Sequence, residues 1–320
     1  MEESESKIEI NKYQPWVEKY RPKDISEIKG QEIVKNTINN MISKGYFPNL
    51  IFHGSPGTGK TSFIFSLANK IYGDKINYLV LELNASDDRG INVIRNEIKD
   101  FVSKETLFVN GIKLVILDEV DSMTPDAQYA LRYLMDKYKN QVRFCLICNY
   151  YYKILDSIKS RCCVFRFLPL NKKETKKVIT NIISKENMKL SDSIIKKIID
   201  FGEGDIRKSI NLLQSISIEG KKINTKFVNL LIGDIDEKSI KKLLEILFSK
   251  ELNLRKKILG VDKIMIKYGI SLSNLIKIIF DNIEEYYLSE KMIELADLEY
   301  MVKQSTFSKT YLYKLICIFF

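Results

Sequence analysis

The sequence lacks a hydrophobic run of about 18 residues, the length at which a membrane helix is considered, and its first nine residues are acidic and polar. We therefore expect neither a membrane span nor a secretory signal. Cysteine is scarce, at five in 320 residues, and Cys145 with Cys148 forms the single C-x-x-C spacing. Because a zinc ribbon needs a second such pair, we expect no zinc ribbon and a reducing intracellular compartment, which could be a nucleus, an archaeal cytoplasm or a viral replication site.

Acidic residues are outnumbered, since 51 Lys and Arg against 41 Asp and Glu give a formal net charge of +10. Such a surplus favours a polyanionic partner, because positive potential attracts phosphate groups. An evenly spread surplus of lysine would give the same total. The charge therefore supports nucleic-acid binding without establishing it.

A phosphate-binding loop is the strongest pattern in the chain. Residues 50–52 are apolar, residues 54–61 fit G-x-x-x-x-G-K-[ST], and an apolar stripe at helical spacing follows. This strand–loop–helix order turns successive N–H groups towards phosphate oxygens. Lys60 is expected to reach the β- and γ-phosphates and Thr61 to bind Mg²⁺. The predicted nucleotide-binding residues of the loop are Gly54, Ser55, Pro56, Gly57, Thr58, Gly59, Lys60, Thr61 and Ser62.

Polar residues end three further predicted strands. Asp118 and Glu119 follow an apolar strand in the Walker B arrangement, with Asp118 expected to hold Mg²⁺ and Glu119 to polarise the attacking water. Asn149 ends the next strand, where its amide could orient that water or contact the γ-phosphate. Asn84 also ends a strand. Ligands bind at the carboxyl edge of open α/β sheets, so we expect these residues at one site.

Strands alternate with helices in the first half of the chain, which predicts an α/β fold with a parallel sheet covered on both faces. The predicted strands begin with residues 50–52 and continue at 78–83, 113–117, 142–148 and 164–167. After residue 170 the strand pattern stops, and short amphipathic helices are predicted at 174–188, 191–201, 205–217 and 225–231. About five longer helices are predicted from residue 237 onwards.

Three domains follow from this pattern. Residues 1–170 form the predicted nucleotide-binding core, 171–233 a small helical lid, and 234–320 an all-α C-terminal domain. The last four residues, beginning at Cys317, formally match a prenylation box. The neighbouring Leu312, Leu315 and Phe319 instead fit the apolar face of a final helix, which we favour.

Five segments in fixed order carry a family resemblance. They are PWVEKYRP at 15–22, NASDDRG at 84–90, DEVDSMT at 118–124, SRC at 160–162 and GDIRK at 204–208. Together they resemble a small subunit of replication factor C, the sliding-clamp loader, which is an AAA+ ATPase family. The motifs cover residues 15–214. Beyond them the similarity is one of length and helicity, as for a collar domain that holds subunits together.

The resemblance implies roles for several residues. Glu18 and Arg21 would lie near the adenosine of ATP, Asn149 would be sensor 1, and Arg207 would be sensor 2 at the γ-phosphate. Arg161 would be the arginine finger, which reaches the ATP of the neighbouring subunit and stabilises charge on the transferring phosphoryl group. The alternatives are a surface salt bridge for Arg161 and a local ion pair for Arg207.

DNA contact is predicted from one helix. Arg95 and Lys99 lie four residues apart on its polar face, and Arg89 lies near its start, so the three could follow a phosphate backbone without reading bases. A solvated charged face is the alternative. Residues 101–102 and 107–108 lie where clamp loaders of this type contact the clamp, although ordinary core packing competes there.

The predicted function is therefore an ATPase subunit of a clamp loader. ATP and Mg²⁺ would be its cofactors, and its partners would be other loader subunits in a hetero-pentamer, the sliding clamp and primer–template DNA, with no membrane. A branch-migration helicase is the rival of the same fold. A small-molecule phosphate-loop kinase and a ring subunit that binds ATP without hydrolysing it are rivals of other classes.

Overall fold

A computed structural model describes residues 14–86, 90–103, 111–218, 223–233, 237–249, 251–282, 289–304 and 309–319. The contacts divide the chain into two compact units, residues 1–218 and 219–320. The first unit contains every residue of the predicted nucleotide site.

A five-stranded parallel sheet forms the centre of the first unit. Its strands are β1 (Leu50–Gly54), β2 (Val80–Asn84), β3 (Lys113–Asp118), β4 (Val142–Cys148) and β5 (Cys163–Phe167). Their order is β2-β3-β4-β1-β5, and each pairing is parallel. The parallel pairing brings all carboxyl ends to one edge, where Asn84 lies opposite Asp118. The predicted fold class is confirmed.

One predicted strand boundary is wrong. Residues 78 and 79 were expected to begin the second strand, but they belong to a short helix, and β2 starts at Val80. Gly73, which adopts a φ of 52°, ends the preceding helix and leads into a 3₁₀ turn that continues as this helix. Tyr78 is largely exposed there. The high strand propensity of tyrosine comes from packing on a sheet surface, and Tyr78 has no such packing.

Helices cover the sheet and then form the lid. They are α1 (Trp16–Lys19), α2 (Glu32–Ser43), α3 (Lys60–Tyr72), α4 (Ile76–Leu79), α5 (Gly90–Ser103), α6 (Pro125–Lys137), α7 (Asp156–Lys159), α8 (Lys172–Lys185), α9 (Asp192–Gly202) and α10 (Ile206–Ile218). Thr124 caps α6 by accepting a hydrogen bond from the Ala127 N–H at 3.3 Å, and Pro125 occupies the first turn as the sequence predicts.

Two apolar clusters hold the sheet, one on each face. The first includes Ile51, Val115 and Leu146 with α6, and the second includes Phe52, Ile116 and residues of α3. Neighbouring strand residues therefore point to opposite faces and are buried on both. This two-sided burial explains the apolar runs at residues 114–117 of β3 and 144–148 of β4, which end next to Asp118 and Asn149.

The second unit consists of helices in its described residues. They are α11 (Thr225–Ile232), α12 (Glu237–Phe248), α13 (Leu254–Tyr268), α14 (Leu272–Asn282), α15 (Ser289–Gln304) and α16 (Lys309–Ile318). Leu312, Leu315 and Phe319 are buried in their common core. In the described part of the chain, no helix has the length and apolarity that crossing a membrane requires. The boundaries of the three predicted domains stay a prediction.

Candidate nucleotide site

The phosphate loop joins β1 to the N-terminus of α3, as the pattern predicts. Gly57 and Gly59 adopt φ values of 69° and 90°, a region that favours glycine over residues with a side chain. Apart from its chain neighbours, no residue has an atom within 4 Å of the position that a Cβ on Gly59 would take, so the space beside Gly59 is open. An open concave backbone at a helix N-terminus fits a bound phosphate group.

Lys60 lies inside this loop with 6% of its surface exposed. Its Nζ donates to the carbonyl oxygens of Gly54 and Ser55, at 2.8 and 2.9 Å, and to Asn149 Oδ1 at 2.9 Å. Burial lowers the pKa of the ammonium group; the Asp118 carboxylate partly offsets this, and the Arg207 guanidinium adds to it. The structure thus brings Lys60, Asn149 and Arg207, predicted from three distant segments, to one place.

Thr61 and Asp118 offer two oxygen ligands to a cation. Thr61 Oγ1 donates to Asp118 Oδ2 at 2.8 Å. Adjacent ligands in an octahedral Mg²⁺ site with bonds of about 2.1 Å lie about 3 Å apart, so the separation of these two oxygens matches that of adjacent magnesium ligands. Among the described residues no group of three His, Cys, Asp or Glu could hold a metal. A site that shares its metal with substrate phosphates needs no such group.

Glu119 follows Asp118 at the edge of the sheet. Its φ of 57° is unusual for a residue with a side chain, and its N–H donates to Asp118 Oδ1 at 2.8 Å. Glu119 lines a small cavity of about 60 Å³ together with Thr61, Asn149 and Arg207. Glu119 therefore lies beside the phosphate loop, where the sequence predicts the water-polarising residue.

A larger cavity of about 730 Å³ extends from the loop towards the N-terminal segment and the lid. Glu18 and Arg21 line it, as does Ser62, and the Arg21 Nη1 to Glu18 Oε2 distance is 3.3 Å. Volumes of 300–1,000 Å³ are usual for cofactor sites, so the cavity is large enough for a nucleoside triphosphate. Apolar side chains from Val17, Ile206 and Ile210 complete the lining.

The segment around α1 is anchored to the lid by contacts that the sequence analysis missed. Tyr20 Oη and Lys19 Nζ both donate to Glu186 Oε1, the latter at 2.6 Å, and the Trp16 N–H donates to Gln214 Oε1 at 3.0 Å. Burial alone would raise the pKa of the Glu186 carboxyl, but the hydrogen bonds from Lys19 and Tyr20 outweigh it and lower the pKa. One wall of the cavity is therefore attached to the lid.

The lid approaches the loop through the start of α10. The Ile206 N–H donates to the Gly57 carbonyl oxygen at 3.4 Å. Asp205 Oδ1 accepts from the Arg207 N–H at 2.9 Å, so Asp205 caps the helix. Arg207 is exposed and forms no ion pair recorded among the described residues. Its side chain borders both cavities.

Arg161 lies on the surface, after α7, away from its own chain's loop. Its Nε donates to Asp136 Oδ1 at 2.7 Å and its Nη2 to Asp136 Oδ2 at 3.1 Å, while its Nη1 donates to the Ser157 carbonyl oxygen at 2.7 Å. The salt bridge considered as the alternative is thus present. Its hydrogen bonds lower the pKa of Asp136 and raise that of Arg161. Sequence reasoning did not identify Asp136.

The predicted DNA-binding residues are only partly described. Arg89 lies outside the described residues, and so does the side chain of Arg95, whose backbone belongs to α5. Lys99 is half-buried on the same helix. Phe101 and Val102 pack against the core of the first unit, and residues 107–108 lie outside the described residues. Neither the DNA contact nor the clamp contact is tested by this arrangement.

The parallel sheet, the phosphate loop after β1, the acidic pair after β3 and the helical lid define an AAA-type ATPase. The family model described as ATPase family associated with various cellular activities (AAA) matches residues 50–170, and the one described as RCF1/5-like, AAA+ ATPase lid domain matches residues 177–218. The second match covers most of the predicted lid.

Comparison with individual relatives identifies the family within the AAA-type ATPases. The chain is 38% identical to replication factor C subunit 3 of Saccharomyces cerevisiae, with coverage of 91% of this chain and 88% of the relative. It is 36% identical to replication factor C subunit 5 of Mus musculus, over 95% and 91%. It is 41% identical to the replication factor C small subunit of Methanococcus vannielii, over 87% of each. The chain belongs to the replication factor C small-subunit family.

A solved structure shares the fold. The Thermotoga maritima RuvB Holliday junction branch migration motor aligns with a TM-score of 0.52 over 79% of this chain and 86% of that chain. The sequences are 18% identical there, so the likeness concerns the fold alone.

Proposed function

We propose that this chain is an ATPase subunit of a replication factor C type clamp loader, which uses ATP to open a sliding clamp and load it on primer–template DNA. The observation that supports this proposal most directly is the assembled site, where four side chains meet at one edge of the sheet: Lys60, Thr61, Asp118 and Asn149. This arrangement supports nucleotide binding and hydrolysis. Membership of the replication factor C family supports clamp loading as the use of that hydrolysis.

Each side chain of the site has a proposed role. Lys60 exchanges its present oxygen partners for β- and γ-phosphate oxygens, while Asn149 and Glu119 orient and polarise the attacking water. Arg207 contacts the γ-phosphate from the lid. Thr61 and Asp118 would hold Mg²⁺, which when bound neutralises charge on the β- and γ-phosphates.

Glu18 and Arg21 bind the adenosine side of the nucleotide. They line the large cavity, at its wall formed by the N-terminal segment, while Gly57 and Ser62 line its loop side. This proposal is supported by the continuity of the cavity from the loop to the segment. It accounts for the size of the cavity, which exceeds what phosphates alone would need.

Hydrolysis depends on assembly in this proposal. Arg161 is exposed and would act on the ATP of a neighbouring subunit in a hetero-pentamer, because a guanidinium there stabilises the transferring phosphoryl group. Residues 1–170 would be the nucleotide-binding core, 171–233 the lid and 234–320 the collar that joins subunits. DNA would contact Arg89, Arg95 and Lys99, supported by the net charge of +10.

The test compares two lysines of the same helix within the purified loader complex. Lys60→Ala removes the buried ammonium, whereas Lys70→Ala removes an exposed one that contacts Asn39 Oδ1 at 3.1 Å. In the first complex, every ATP-binding subunit is altered at the lysine equivalent to Lys60, and ATP-dependent clamp loading should be lost. The complex that carries Lys70→Ala should load the clamp normally. Full loading by the complex altered at the phosphate-loop lysines would refute the proposal.

The rival functions predict other results. A branch-migration motor would move along duplex DNA without a clamp, and a small-molecule kinase would turn over as an isolated chain with an acceptor. A ring subunit that only binds ATP predicts that Glu119→Gln leaves the ATPase rate of the complex unchanged. We expect that substitution to slow the hydrolysis at this subunit's own site, because the water loses its general base.

A further inference from the structure

The contact between Arg161 and Asp136 has a specific geometry. The carboxylate binds the guanidinium side-on, through Nε and Nη2, and the Ser157 carbonyl oxygen binds Nη1. A guanidinium has five N–H donors, of which one is on Nε and two are on each terminal nitrogen. These three bonds therefore leave one donor on Nη1 and one on Nη2.

The two remaining donors suit a phosphoryl group. Each remaining N–H can donate to a phosphate oxygen, because a charged guanidinium forms strong hydrogen bonds to phosphate. Arg161 can thus bind a phosphate without breaking its contact with Asp136. The ion pair is compatible with a working arginine finger and does not need to be released first.

Asp136 is held on a rigid element. Its neighbours Leu134 and Met135 on α6 are buried in the core, while the Asp136 side chain is half exposed. Arg161 lies in a turn, where its backbone N–H donates to the Ile158 carbonyl oxygen at 2.9 Å. Asp136 therefore links a long side chain on a short turn to a fixed helix, which lowers the number of directions in which the guanidinium can point.

We propose that Asp136 is a positioning residue that orients the guanidinium of Arg161 towards the nucleotide of the neighbouring subunit. This inference rests on the proposed function, in which Arg161 completes a site in trans. Asp136 does not contact the substrate in this proposal. It acts by fixing the guanidinium plane, and its own charge strengthens the hydrogen bonds that do so.

The test measures the ATPase rate of the assembled complex with four single variants of this chain and one double variant. Asp136→Asn keeps the shape but loses the bidentate carboxylate, and Asp136→Glu keeps the charge. Asp126→Asn is the matched control, an exposed aspartate at the other end of α6. Arg161→Ala removes the finger. Arg161 is proposed to act at the neighbouring subunit's site. The hydrolysis rate is therefore measured in a complex in which that neighbouring subunit is the one able to hydrolyse ATP.

We expect Asp136→Asn to lower kcat about 10- to 100-fold with KM changed less than about twofold, since misplacing a catalytic group by about 1 Å costs on the order of 100-fold. Asp136→Glu should recover most of the rate, and Asp126→Asn should match the unaltered chain. Asp136→Asn combined with Arg161→Ala should be no slower than Arg161→Ala alone, because the two residues act as one unit.

Each other result has a distinct meaning. A slow Arg161→Ala complex with an unaltered or faster Asp136→Asn complex would overturn the positioning role alone. Additive losses in the double variant would also overturn it, since Asp136 would then act by another route. Full activity of Arg161→Ala would overturn the trans role itself and the inference with it. A melting temperature within about 2 °C of the unaltered chain excludes misfolding as the cause of a loss.

Discussion

Replacing Gly57 by alanine should disturb the contact between the phosphate loop and the lid. A Cβ on Gly57 would lie 1.7 Å from Asp205 Oδ1 and 2.3 Å from its Cγ, much closer than real atoms approach. Asp205 would have to turn away and would stop capping α10 at the Arg207 N–H. Arg207 lies two residues further along the chain, so its position beside the two cavities should change as well.

Two terms give the size of the effect. Alanine at a φ of 69° costs about 1–2 kcal/mol in backbone strain. Loss of a helix cap costs about 1 kcal/mol. Gly57→Ala should therefore lower the free energy of unfolding by about 2–3 kcal/mol. Gly59→Ala is the matched control, because its φ of 90° is also positive but no atom lies within 4 Å of its Cβ position. It should show the strain term alone.

The assay is denaturant unfolding of the chain, paired with equilibrium binding of ATP. Gly57→Ala should be the less stable variant by about 1 kcal/mol. Asp205→Ala has already lost the cap, so adding Gly57→Ala to it should cost only the strain term. Equal stability of the Gly57→Ala and Gly59→Ala variants, or additive losses in the double variant, would refute the proposed clash with Asp205.

Two further predictions concern the lid and the cation. Glu186→Gln should lower the unfolding free energy by about 1 kcal/mol at pH 7. The lowered Glu186 pKa contributes stability above the unfolded value of about 4.3, so the difference from the unaltered chain should shrink as pH falls below it; a constant difference down to pH 2 would contradict this. Thr61→Val should reduce the gain in ATP affinity that Mg²⁺ gives, with binding in EDTA unchanged; an unchanged Mg²⁺ effect in titration calorimetry would exclude Thr61 as a ligand.

The sequence could indicate which residues of the candidate site lie together, because each part of the site is a local pattern. The phosphate loop needs glycines at fixed spacing, and Asp118 and Asn149 each end a long apolar strand. Parallel pairing then brings the ends of such strands to one edge without further information. Lys60 and Asn149 are 89 residues apart, and their contact also depends on the pairing of β1 with β4, which the sequence did not predict.

Other contacts could not be predicted in this way. Asp136 is an exposed residue on α6 and Glu186 a half-buried residue just after the end of α8, and their partners lie 25 and 166 residues away. Their pairing depends on how helices pack on the sheet and on the lid, which periodicity does not specify. The misplaced start of β2 has a different cause, since Tyr78 and Leu79 have the apolar character of a strand but complete a helical turn outside the sheet.

Single-turnover hydrolysis of labelled ATP, compared between the isolated chain and the assembled complex, tests the central claim most directly. That claim is that this chain binds the nucleotide while a neighbour supplies the arginine that completes the site. The isolated chain should bind ATP yet hydrolyse it at least about 1,000-fold more slowly than the complex, the size of effect that an arginine finger has elsewhere. Equal rates in the two samples would contradict the account.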